Sequence, residues 1–169
     1  MALATAFAAA APVLADDSCV DFKWDVSHER ALFAGSATPV AAGANQKSAP
    51  VLQLNHLYEL KLSKQEQVSF AVTPAKKNPR DGSNGGLVAF KIPAGGSYRI
   101  AIDMPFWIDV ASNGALVAAN DFQGQHGCNS PHKIVQFDLL GTRSFFLQLS
   151  DAAPDRVRLT ITAAPARKL

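Results

Sequence analysis

The stretch Asp121-Phe-Gln-Gly-Gln-His-Gly-Cys-Asn-Ser-Pro-His132 gathers the densest set of reactive side chains in the sequence. Within it His126, Cys128 and His132 stand in an H-x-C-x3-H spacing. Two imidazoles and a thiolate suit copper or zinc, and a loop can fold three such ligands around one ion. Cys128 has a competing use. The sequence holds two cysteines, Cys19 and Cys128, and a bridged sulfur is no thiolate ligand. An even pair in an oxidising compartment reads most simply as a disulfide. The expectation is therefore a Cys19–Cys128 bond, with metal handling by His126 and His132 as the alternative.

Trp107 and Asp109 form a second candidate. If Phe106, Ile108 and Val110 face a core, Trp107 and Asp109 point the other way. An exposed indole beside a carboxylate can stack on a pyranose ring and hold its hydroxyls, so the pair is a candidate carbohydrate site. The simpler reading places Trp107 at a strand start, covered by an N-terminal segment carrying Phe22 and Trp24. Phe146, out of phase with Phe145, Leu147 and Leu149, poses the same question. The basic run Lys76-Lys77-Asn-Pro-Arg80 leads into Asp81-Gly-Ser-Asn-Gly-Gly86 and reads as a solvated loop, with anionic lipid or polysaccharide as its functional reading.

Enzyme signatures do not emerge. His28-Glu29 opens like a zincin helix, but Leu32 stands where the second histidine is required. There is no G-x-S-x-G elbow and no phosphate-cradling G-x-x-x-x-G-K-[ST] loop. With His28, His56, His126 and His132, only the count of histidines leaves room for an unrecognised hydrolase.

The elements that must position these residues are strands. Tyr58, Leu60 and Leu62 alternate with Glu59 and Lys61, and Val68, Phe70 and Val72 with Ser69 and Ala71. The pattern recurs at Val88/Phe90/Ile92, Tyr98/Ile100/Ile102, Val135/Phe137/Leu139, Phe145/Leu147/Leu149 and Val157/Leu159/Ile161. In the last run Arg156, Arg158, Thr160 and Thr162 fill the other face. Period-two alternation with one wet face describes antiparallel strands over a shared core. Turn residues fall between the runs, and Asn113-Gly114 is a strong two-residue hairpin signal. Short strands at this spacing predict a β-sandwich or barrel. The one helical signal lies in Cys19–Ala34, with Ser27 as cap and Gly35 as stop.

The run Phe90-Lys-Ile-Pro-Ala-Gly-Gly-Ser-Tyr-Arg-Ile-Ala-Ile-Asp103, followed by Trp107-Ile-Asp-Val110, resembles the bacterial pre-peptidase C-terminal domain and related jelly-roll modules. There a G-x-Y-x-apolar-x-apolar strand follows a proline-containing turn. The likeness covers about a third of the chain. It implies a Greek-key or jelly-roll sandwich without catalysis of its own, of a kind appended to secreted hydrolases. The cysteine pair and the helical segment are not part of that pattern, which points to single-domain exported β-sandwich proteins as closer relatives.

Met1 to Ala15 reads MALATAFAAAAPVLA, with eight alanines and no charge. Val13 and Ala15 occupy the −3 and −1 positions that signal peptidase accepts, although the basic n-region is missing. The expectation is a leader at 1–15, a helical segment at 16–35, a linker of Ala, Gly, Pro, Ser and Asn at 36–50 and a sandwich at 51–169. The protein would then be periplasmic or secreted. The 169 residues are 48% hydrophobic and 18% charged, enough for one core and too few charges for disorder. Sixteen basic against fourteen acidic residues leave a net charge of +2, which argues against a nucleic-acid partner. No apolar run reaches the roughly 18 residues of a membrane span. The sequence thus reads as an all-β antiparallel sandwich, jelly-roll or Greek-key, with a short N-terminal helical segment. It needs no cofactor, does no catalysis, and serves as a binding or structural module for an envelope partner or a carbohydrate.

Overall fold

The computed structural model describes Cys19 and residues 21–165; the expected leader at 1–15 lies outside the described residues. Two sheets face each other across an apolar core. In order, the first sheet is β1 (Thr38–Ala41), β3 (Tyr58–Lys61), β12 (Arg156–Ala163), β6 (Gly96–Ile102), β10 (Lys133–Leu139) and β9 (Ala119–Gly124). The second is β2 (Val51–Leu52), β5 (Asn84–Lys91), β11 (Ser144–Ala152), β7 (Trp107–Ser112) and β8 (Ala115–Val117), with β4 (Ser63–Lys64) also pairing β5.

The pairing nests like one long hairpin. β7 pairs β8, β6 pairs β10, β5 pairs β11 and β3 pairs β12, all antiparallel. Rolled so that β3-β12-β6-β10 and β5-β11-β7-β8 fall in opposite sheets, this is a jelly roll. The hairpin between β7 and β8 turns at Asn113 (φ 52°) and Gly114 (φ 75°), both left-handed, as a two-residue turn matched to strand twist requires. Phe90, Phe137, Leu60, Leu147, Leu159 and Ile161 are among the fully buried side chains between the sheets.

The expected purely antiparallel arrangement is corrected at the margins. β1 pairs β3 and β2 pairs β5 in parallel, so both sheets are mixed. The chain between β1 and β3 crosses the sandwich and lays down β2 in the opposite sheet, the long connection a parallel pair requires. The expected linker at 36–50 is therefore part of the sandwich. Its small residues are there for close approach. Gly43 exchanges backbone hydrogen bonds with Leu87 (2.8 and 2.9 Å), and a Cβ at Gly43 would meet the Ala49 backbone at 2.6 Å.

Both outer faces are covered, which corrects the expected wet face. On the first sheet lies the N-terminal segment with α1 (Ser27–Phe33). Val26 and Phe33 pack there on Leu57, Ala101 and Ile134, with Phe22 and Trp24 beside them. Thr160 and Thr162 of β12 are consequently fully buried. Ser27 is the first helical residue rather than the cap, and its N–H donates to the Asp25 carboxylate at 2.9 Å. On the second sheet lies the segment from Val68 to Ser83. Its expected strand at Val68–Val72 does not form; instead the buried Gln148 side chain supplies the partners of the Val72 backbone. The Gln148 amide accepts from Val72 N–H (2.9 Å) and donates to Val72 carbonyl (3.0 Å).

Candidate functional site

The chain passes from β8 in one sheet to β9 in the other at Ala118, which leaves a corner of the sandwich open. A cleft of about 240 Å³ opens there, lined by Trp107, Ile108, Ala119, Phe122, Lys133 and Val135. Phe122 sits opposite Val135 in the β9–β10 register and so shares its inward face. Val135 is buried in the core, whereas Phe122 on the edge strand is 67% exposed. Trp107, at the start of β7, is 38% exposed. Two large aromatic surfaces therefore meet solvent at one concave place.

The indole is held in position. Its Nε1–H donates to the Asp109 carboxylate at 3.0 Å, two residues along the strand and on the same face. The other Asp109 oxygen accepts from Ala75 N–H at 3.0 Å, from the segment lying over the second sheet. Asp109 is only 7% exposed, which corrects its expected role. It does not present hydroxyl-binding oxygens to a ligand; it orients Trp107. Burial raises the Asp109 pKa above the ordinary carboxylate value, against the lowering effects of the two hydrogen bonds and the Lys133 charge. Nor is Trp107 covered by Phe22 and Trp24, which lie on the outer face of the other sheet.

Lys133 opens β10 and completes the cleft. Its ammonium donates to the Phe106 carbonyl at 3.0 Å and stands 5.8 Å from the Trp107 ring centre. Burial pulls the Lys133 pKa below the ordinary lysine value, and the Asp109 charge works in the opposite direction.

The other candidates lie elsewhere. Cys19 and Cys128 form the expected disulfide, so the thiolate of the H-x-C-x3-H reading is consumed. His126 and His132 remain, with ring centroids 6.3 Å apart and Nδ1 of His132 at 3.1 Å from the Cys128 carbonyl. Among the described residues no group of three or more His, Cys, Asp or Glu side chains gathers for a metal ion. The basic loop is largely exposed, and two of its cations pair with one carboxylate. Arg80 binds the Asp151 carboxylate through its backbone N–H (2.7 Å) and its Nε (3.1 Å), and Lys76 stands 3.7 Å from it. The open groove of about 470 Å³ beside this loop is thus walled by Lys76 and Arg80, which share the Asp151 carboxylate, and by the acidic Glu66 and Asp81. Phe146 is half-buried on the outer face of the second sheet.

Sequence reasoning reached Trp107 but missed Phe122 and Lys133. Phe122 left one signal: it is the lone large apolar residue in Asn120-Asp121-Phe122-Gln123. Lys133 left none, because only the rolled topology brings the start of β10 beside the start of β7. Comparison with protein-family models and with curated proteins finds no match to this chain.

Proposed function

We propose that this is an exported, non-catalytic jelly-roll module that binds carbohydrate at the Trp107 cleft. One observation carries the reading: an exposed indole, fixed edge-on by Asp109, shares a cleft with the exposed ring of Phe122. Sugar rings offer C–H faces to aromatic planes, and an indole already oriented gives up little freedom on binding. The volume is below the ~300–1,000 Å³ typical of drug-sized ligands, which suits one ring of a longer chain. Jelly rolls serve as lectin domains elsewhere, a likeness at the level of the fold alone. The Cys19–Cys128 bond supports an oxidising compartment, and hence an extracellular or periplasmic partner. Among the described residues no helix is long and apolar enough to cross a membrane.

The test is affinity electrophoresis through gels cast with a panel of envelope and extracellular polysaccharides. At least one glycan should retard the native protein, and Trp107→Ala should run freely in it while unfolding within a few degrees of the parent. Retardation that survives Trp107→Ala, or a panel that retards nothing, overturns the reading.

A further inference from the structure

The polar groups of the cleft are one-sided. Of its lining residues only Lys133 is charged, and the single side-chain N–H of Trp107 is already given to Asp109. The lining side chains therefore include no free acceptor. Ring hydroxyls, common to neutral and acidic sugars, can keep their remaining hydrogen bonds with water at the open mouth, so the one polar group the wall selects for is an acceptor. A carboxylate only accepts. Lys133 is built to receive one. Its ammonium has three N–H donors, and the structure gives it one hydrogen-bond partner, the Phe106 carbonyl. Among the described residues no carboxylate forms an ion pair with it, although Asp109 is near enough to be felt. Both Asp109 oxygens already accept from Trp107 and Ala75. Lys23, by contrast, is paired with Asp121.

We infer that the cleft recognises an acidic sugar, a hexuronate unit whose ring lies against Trp107 and Phe122 while its carboxylate takes the Lys133 ammonium. The inference rests on the carbohydrate reading above and narrows it to one substrate class. Partial burial of the ammonium strengthens a charge-assisted bond, because solvent and salt screen it less than at an open surface. The aromatic rings would be tolerant of sugar identity, and the charge would set the preference.

Isothermal titration with tetramers of galacturonate, glucuronate and mannuronate, their methyl esters, and neutral cellotetraose tests this. At least one acidic tetramer should bind, with its methyl ester and cellotetraose weaker by roughly tenfold or more, the scale of one charged hydrogen bond. Lys133→Gln, which keeps a donor for Phe106, should abolish the preference for the acid over its ester. Trp107→Ala should remove binding of both. Neutral tetramers binding as tightly as acids, or an acid-over-ester preference that survives Lys133→Gln, overturns the uronate inference while leaving carbohydrate binding intact. If no tetramer of either kind binds, or if octanoate competes as well as the acidic tetramers, the carbohydrate reading itself is overturned.

Discussion

Two aspartates show how single residues here set the response to pH, in opposite senses. Asp151 stands at φ 56°, and burial alone would raise its pKa. The backbone and side-chain hydrogen bonds of Arg80, with the charges of Arg80 and Lys76, outweigh that and hold it below the ordinary 3.8. Its stabilising contribution is present above 3.8 and is lost as pH falls through the lowered folded-state value. Asp109 behaves conversely. Its folded-state pKa is raised above 3.8, so from that pH upward the native state keeps a proton the unfolded chain has released, and stability falls as pH rises through the window. Urea midpoints measured from about pH 2 to 7 should show both slopes. Asp151→Asn, whose new side chain tolerates the left-handed backbone, should flatten the acid limb and cost about 1–2 kcal/mol at neutral pH. Asp109→Asn should flatten the limb above 3.8 instead. A parent whose midpoint does not move with pH would contradict both assignments. The same residues mark how far the site was legible. Alternation places Trp107 and Asp109 on one outward face, but an outward face is not always wet, and Asp109 is buried. The covering segment that buries Asp109 comes from Ala75, and no local pattern ties residue 75 to residue 109.

At the scale of elements, the N-terminal segment is fastened to the first sheet by a buried polar network. Glu29 and Arg99 are 2% and 5% exposed, with a carboxylate–guanidinium separation of 3.5 Å. Thr162 donates to Glu29 at 2.8 Å, while Arg99 donates to the Asp25 carbonyl (2.8 Å) and the Gln136 amide (3.2 Å) and lies 5.1 Å from the Trp24 ring. Removing one member of such a pair strands the other charge without water, so Glu29→Ala should cost about 3–5 kcal/mol. Replacing both with apolar residues, as in Glu29→Leu with Arg99→Met, should restore most of that loss. A double-mutant cycle on thermal or urea unfolding decides it, and simply additive losses would show the two groups to be uncoupled. The sequence revealed the strands because inner-face alternation runs through β5, β6, β10 and β12 and through β11 as far as Leu149. It led to an N-terminal cover carrying Phe22 and Trp24, but set it over Trp107 rather than on the first sheet, and it left the second covering layer hidden. Gly43 reads as linker composition until the backbone it touches is known, and Gln148 reads as an exposed strand residue until Val72 is seen to be its partner.

At the scale of the whole molecule, one covalent bond joins the covering layer to the sandwich. Cys19 precedes the segment that lies on the first sheet, and Cys128 sits in the loop between β9 and β10, 109 residues later. Non-covalent ties run alongside: the Asp21 carbonyl accepts from the Gln123 amide at 2.8 Å, and Gln123 in turn accepts from Lys23 N–H at 2.7 Å. These exposed contacts contribute little singly, whereas a cross-link closing so long a loop removes about 4–5 kcal/mol of unfolded-chain entropy in the chain-entropy model. Cys128→Ser should therefore lower stability by up to that amount and leave Cys19 reactive to thiol reagents in the native protein. The loss should not all appear as global unfolding. Cys19 is buried but stands outside the cluster between the two sheets, so part of the loss should appear as local release of residues 21–35. Hydrogen exchange would then show faster exchange at α1, with the ladders of β12, β5 and β11 still protected. Reductant should bring the parent to the level of the variant and leave the variant unchanged. An unchanged midpoint in Cys128→Ser would show that the burial of Val26, Phe33 and the Glu29–Arg99 pair alone holds the segment. Equal loss of protection in both sheets would show instead that the covering layer and the sandwich unfold as one unit.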